Sequence, residues 1–91
     1  MTVYVDNMHA GYRRMVMCHM LADSDDELHA MADKIGVNRK WHQYAGTPRS
    51  HYDVCLSKRA LAVKHGAVEI DIREAALIVR NRRNRNENAN R

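Results

Sequence analysis

Residues 2–6 alternate: Val3 and Val5 fall on one face, and Thr2, Tyr4 and Asp6 on the other, the two-residue period of a β-strand. Met15 to Leu21 repeats that period with both faces largely apolar. Met15, Met17, His19 and Leu21 share one face, and Val16, Cys18 and Met20 the other, as in a central strand covered on both sides or one in a dimer. Too few residues intervene for a parallel crossover, so the two strands should pair antiparallel. The period then changes. Leu28, Met31, Ala32 and Ile35 make a helical stripe, opened by the capping box Ser24-Asp25-Asp26-Glu27 and closed by Gly36.

Val37 to His51 follows neither period and reads as a long loop, of the kind that is usually functional or disordered. Trp41 argues for order, because a large ring tends to dock. Ser57 is expected to cap a second helix over Lys58–His65, ended at Gly66, and Ala67 to Ile70 a short strand. Asp71-Ile72-Arg73-Glu74 is another capping box, and Ile72, Ala75, Ala76 and Val79 give a third helix its stripe. Past Arg80 the composition collapses to Asn and Arg. The expectation is a small α/β (α+β) domain over 1–80, with a three-stranded sheet and about three helices, followed by a disordered basic tail over 81–91.

At 91 residues the chain is near the lower limit for a self-sufficient core, and a homodimer is one way to enlarge it. It has no signal-peptide pattern and no apolar run long enough for a membrane span, and its two cysteines suit a reducing compartment. The expected location is the cytoplasm. The net charge of +4 divides unevenly: −4 over residues 1–33, +6 over 34–64, −2 over 65–79 and +4 over the tail. Charge localised in this way points to a site rather than to a uniformly basic nucleic-acid face.

That basic segment supplies the candidate chemistry. Arg39, Arg49 and Arg59 offer planar forks for phosphate oxygens, and Trp41 and Tyr52 offer rings for stacking. His19 with Asp23, and His51 with Asp53, are imidazole–carboxylate pairs that could orient a ligand or act in general acid–base catalysis. Each has a plainer explanation: a hydrogen-bonded core histidine, a turn carboxylate, a solvated basic loop. His29 is best explained as a surface pair with Asp33. His19, Asp23, His29, His51 and Asp53 are of metal-ligand type, yet no spacing is diagnostic, so the sequence argues for no cofactor and leaves a metal as the weaker alternative. Nucleophilic catalysis has no motif.

Tyr4-Val5-Asp6, His19-Met20-Leu21-Ala22-Asp23, Glu27-Leu28-His29-Ala30-Met31-Ala32, Ile35-Gly36, Arg39-Lys40-Trp41, His51-Tyr52-Asp53 and Gly66-Ala67-Val68-Glu69-Ile70 occur in that order. Over about residues 2–75 this resembles a family of small bacterial and bacteriophage proteins known only as a domain of unknown function. The resemblance implies a compact domain and a phage or bacterial origin, and it carries no activity. Three functions remain open. The leading one is binding of a phosphate-bearing small molecule or nucleic acid, with Asp23, Arg39, Trp41, Arg49, Tyr52 and Arg59 as ligand contacts. The second is a small hydrolase or nuclease using His19, His51 and Asp53, with or without a metal. The third is an interaction module that inhibits a host factor.

Overall fold

A computed structural model describes residues 2–12 and 15–89. The strands are β1 (Val3–Val5), β2 (Ala10–Tyr12), β3 (Met15–Ala22), β4 (His42–Gln43), β5 (His51–Cys55) and β6 (Val68–Glu69). The helices are α1 (Asp25–Ile35), α2 (Leu56–Lys64) and α3 (Ile72–Ala89), with a 3₁₀ turn over Arg39–Trp41. The α/β class matches the expectation, but the sheet is larger than three strands. Its order is β4-β5-β3-β1-β6, with β2 also paired to β3. No helix among the described residues is long and apolar enough to cross a membrane.

β3 is central, as its two apolar faces require. It pairs antiparallel with β1, β2 and β5, while β6 lies parallel to β1. The face carrying Val3, Val5, Cys18, Met20, Ala22, Tyr52 and Val54 packs on α1 through Leu28, Met31, Ala32 and Ile35, and on α2 through Ala62. The opposite face is covered by α3 at one end only, where Leu21, Ile70 and Ala75 pack with Tyr4, Ile78 and Val79. The other end, carrying His19, His51 and Asp53, lies beyond this α3 cover, with the Tyr44 ring stacked on His51.

The capping boxes form as read. The Ser24 hydroxyl accepts from the Glu27 N–H at 3.2 Å, and Gly36 closes α1 at φ 79°, in the left-handed region that glycine adopts without steric penalty. Asp71 accepts from the Glu74 N–H at 2.8 Å. α2 starts earlier than expected: Cys55 is its N-cap, and Ser57 lies inside the helix against the Cys55 thiol. The expected loop ends in strand, because Tyr52 and Val54 alternate into the core beneath β3. α3 continues as helix through Ala89, past the point where apolar positions stop, and Arg82 donates to the carbonyls of Pro48 and Ser50 at 3.4 and 3.2 Å. Asn90 and Arg91 of the expected tail lie outside the described residues.

One irregularity matters for the site. β1 pairs to β3 as far as Val5↔Met20, and β2 resumes at Ala10↔Met17, so the β1–β2 segment carries two extra residues relative to its partner. An insertion of this kind bends a strand and re-aims a side chain. His9, at φ 50°, takes up part of the bend, and Asp6 at its start turns its carboxylate beneath His19.

Candidate functional site

His19 lies in the middle of β3, and Asp53 is its registered partner on β5. Alternation puts His51 on the same face as Asp53. The His19 and His51 rings meet edge-to-face with centroids 4.8 Å apart. Nε2 of His19 lies 3.8 Å from Asp53 Oδ1, and Nε2 of His51 lies 3.4 Å from the same oxygen. One ligand-type atom from each residue falls within 4.8 Å of the other two.

The far side of each ring is anchored. His51 Nδ1 is 2.6 Å from the Arg49 carbonyl, which can only accept, so Nδ1 carries the hydrogen and Nε2 of the neutral ring presents a lone pair. His19 Nδ1 is 2.7 Å from Oδ2 of Asp6. Asp6 is fully buried. Burial pushes its carboxyl upward, but hydrogen bonds from the His19 ring, the His19 N–H and the Met8 N–H outweigh this and hold it below the ordinary range. Ionised Asp6 therefore accepts from Nδ1, and neutral His19 also turns its Nε2 lone pair inward. The hydrogen bond to Asp6 is the main reason that the His19 pKa is raised.

Asp53 Oδ1 is buried and has no hydrogen-bond partner among the described residues, while Oδ2 accepts from Gln43 Nε2 at 2.6 Å. With both rings neutral, two imidazole lone pairs and a carboxylate oxygen face one another, and either a proton on an Nε2 or a bound cation can bridge them. A buried acceptor left this way is destabilising unless a proton on a ring nitrogen or a metal ion occupies the centre. Ligands at ~2.0–2.1 Å around a tetrahedral ion stand roughly 3.3 Å apart. The 3.4 and 3.8 Å edges to Asp53 are close to that spacing, whereas the His19–His51 edge, within 4.8 Å, has to shorten by a ring movement to complete the set. The Asp6 and Arg49 contacts are of the kind that fix imidazole ligands in metal centres.

Two hollows flank the cluster. A groove of about 380 Å³ runs between the histidines and α3, lined by Asp6, His19, Arg49 and His51 and walled by Ile72, Ala76 and Val79. Arg49 lies over the Tyr44 ring at 4.5 Å, and that ring stacks on His51 at 5.8 Å. A cleft of about 730 Å³ opens on the other side, lined by Asp53, Gln43, Trp41, Lys40 and Met17 among others. Met8 lines both.

The remaining sequence candidates go elsewhere. Tyr52 is fully buried on the opposite face, so it cannot stack on a ligand, and its hydroxyl, 2.7 Å from His29 Nδ1, takes the hydrogen bond of His29, whose effect on Asp33 is only coulombic. Asp23 accepts from the Thr2 N–H and the Tyr4 hydroxyl, each at 2.9 Å, and so secures β1 rather than His19. Arg39 is exposed and paired with Asp33 at 2.9 Å. Arg59 donates to the Asp6 carbonyl at 2.8 Å and pairs with Glu69 at 2.9 Å, bracing Asp6 from behind instead of holding phosphate. Asp6 and Gln43 are the supporting residues that the sequence reading passed over. The one signal for Asp6 was its place directly after a strand, in Tyr4-Val5-Asp6.

No match to the chain was found among curated proteins or among solved structures. Residues 3–82, which include every residue of the cluster, its Asp6 support and Arg82, match a family model. The chain therefore belongs to the family described as Protein of unknown function (DUF4031).

Proposed function

We propose that this domain is a small metal-dependent hydrolase acting on a phosphate-bearing substrate, with a divalent ion held by His19 Nε2, His51 Nε2 and Asp53 Oδ1. The observation that carries this reading is the convergence of three acceptor atoms on one centre, Asp53 Oδ1 being buried and without a donor. Two imidazoles and a carboxylate suit Zn²⁺ and similar divalent ions, and three protein ligands leave a position open for water or substrate. A bound ion of this type acidifies a coordinated water and polarises an oxyanion.

The ion also removes an obstacle to phosphate. Asp6 and Asp53 both present carboxylates at the cluster and would repel a phosphate approaching neutral histidines. With the centre neutralised, the Arg49 guanidinium in the same groove can hold the remaining oxygens. His19 and His51 then serve as ligands rather than as direct phosphate contacts.

Titration with Zn²⁺ by calorimetry and with Co²⁺ by visible absorption tests the reading. One ion per chain is expected, with loss of binding in His51→Ala and Asp53→Ala and with chelator-sensitive hydrolysis of p-nitrophenyl phosphate. Absence of Co²⁺ bands, or binding that survives both substitutions, would overturn it.

A further inference from the structure

We infer that the cleft on the Trp41 side of Asp53 receives a planar ring belonging to the same phosphate-bearing ligand, so that the substrate class is an aromatic or nucleoside phosphate. This rests on the reading above and adds to it the organic half of the ligand. The indole of Trp41 is 57% exposed, although a ring of its size normally docks in a small domain. It stands at the end of the 3₁₀ turn, facing a cleft of about 730 Å³ walled by Met8, Met17, Val37 and Val54. That volume is in the range of small-molecule sites, and the lining, apolar with a few polar groups, has the make-up of one.

Charge at the cleft narrows the class. The Lys40 ammonium lies 5.2 Å from the Trp41 ring centroid, and Lys58, whose Nζ donates to the Ile35 carbonyl, lines the same cleft. An ammonium over an exposed indole suits a flat, electron-rich ring that can stack on one and meet the other. Gln43 and Asp53 supply the polar edge, and Gln43 can also meet ring heteroatoms.

The position of Asp53 joins the two halves. Its side chain lines the Trp41 cleft, while its Oδ1 faces His19 and His51, which line the groove holding Arg49. A ring in the cleft and a phosphate at the metal are thus separated by one side chain, a span that a sugar or short linker can cover.

Trp41 is the only tryptophan in the chain, so its emission reports on the cleft directly. Zn²⁺-loaded protein should be titrated with adenosine, adenosine 5′-monophosphate and inorganic phosphate. The monophosphate and adenosine are expected to shift Trp41 emission and phosphate alone to leave it still, with the monophosphate binding at least tenfold tighter than adenosine. Chelation should abolish that advantage. Trp41→Leu keeps apolar bulk and should weaken monophosphate binding, followed by calorimetry, by about tenfold or more without changing Zn²⁺ affinity. Unmoved emission under the monophosphate, or unchanged affinity in Trp41→Leu, overturns the inference and leaves the metal reading standing. Failure of Zn²⁺ to bind refutes the metal reading instead. Adenosine-induced emission changes in the metal-free protein then still decide whether the cleft takes a ring.

Discussion

His19 and Asp6 are joined twice: the imidazole Nδ1 lies 2.7 Å from one carboxylate oxygen, and the His19 backbone N–H donates to the other at 2.8 Å. The carboxylate therefore fixes both the tilt of the ring and the strand from which it projects. Asp6→Asn preserves shape but removes the charge that holds Nε2 as the inward lone pair. A loss of ~10–100-fold in Zn²⁺ affinity is expected, measured by calorimetry on folded protein. Affinity equal to that of the unaltered chain would show that Asp6 serves folding alone.

Asp53→Asn should separate stability from binding. An amide can accept from Gln43 through oxygen and donate through nitrogen to a histidine Nε2, relieving the orphaned oxygen. The metal-free variant should melt above the metal-free parent, and the metal-dependent rise in Tm should disappear. Sites strained for function behave in this way. A lower melting temperature without metal would mean that Asp53 is already satisfied.

Two histidines paired to β5 on opposite faces of the sheet, His19 across from Asp53 and His42 across from Tyr52, respond to pH with opposite sign. His19 has a raised pKa, chiefly through its bond to Asp6. Its contribution is complete below the unfolded value of about 6.5 and is lost as pH rises through the higher folded value. The pKa of His42 is lowered, first by burial and then by the neighbouring His29. Its contribution is complete above about 6.5 and is lost as pH falls through the lower folded value. Urea unfolding of metal-free protein should therefore show His42→Gln flattening the acid side of the profile and His19→Gln the neutral-to-alkaline side. Identical slopes in parent and variants would contradict both assignments.

Tyr52→Phe should lower stability by about 1–2 kcal/mol, because His29 loses the hydroxyl at 2.7 Å in a part-buried setting. Zn²⁺ affinity should not change, although both sequence neighbours of Tyr52 are proposed ligands. A fall in affinity comparable to that of His51→Ala would mean that the two faces of β5 are not independent.

Arg82→Ala should lower Tm by several degrees through loss of its bonds to the Pro48 and Ser50 carbonyls, worth about 1 kcal/mol for a domain of this size. Deleting residues 85–91 should cost less than deleting 81–91. Equal melting temperatures for the two truncations would show that Arg82 contributes nothing.

Where signals were local, the sequence disclosed the structure. Ser24 and Gly36 bound α1 through contacts made within a turn or two, and the two apolar faces of β3 marked it as central. β5 was hidden because only Tyr52 and Val54 on one face are apolar, and its other face is polar for the sake of the cluster. The basic segment from Lys34 to Lys64 looked like one site, but spatial neighbours divide it. Arg39 goes to Asp33, Lys58 to the end of α1, and Arg59 to Asp6 and Glu69. Arg49 alone of its arginines lines the histidine groove. Sequence proximity of like charges gave no access to these long-range partners, and nothing local announced that a bend after Val5 would place Asp6 beneath His19.

The pairing of His19 with Asp53, and of Met20 with Tyr52, binds chain quality to chemistry. A shift of β5 by one residue would bring Tyr52 out to the histidine face and drive Asp53 into the apolar layer against α1. Such a misaligned chain would lose its core and its ligand set together. Variants selected only for solubility or yield would thus be screened, without intent, for an intact cluster, and a stable but vacant version has to be reached by changing side chains on the correctly aligned sheet.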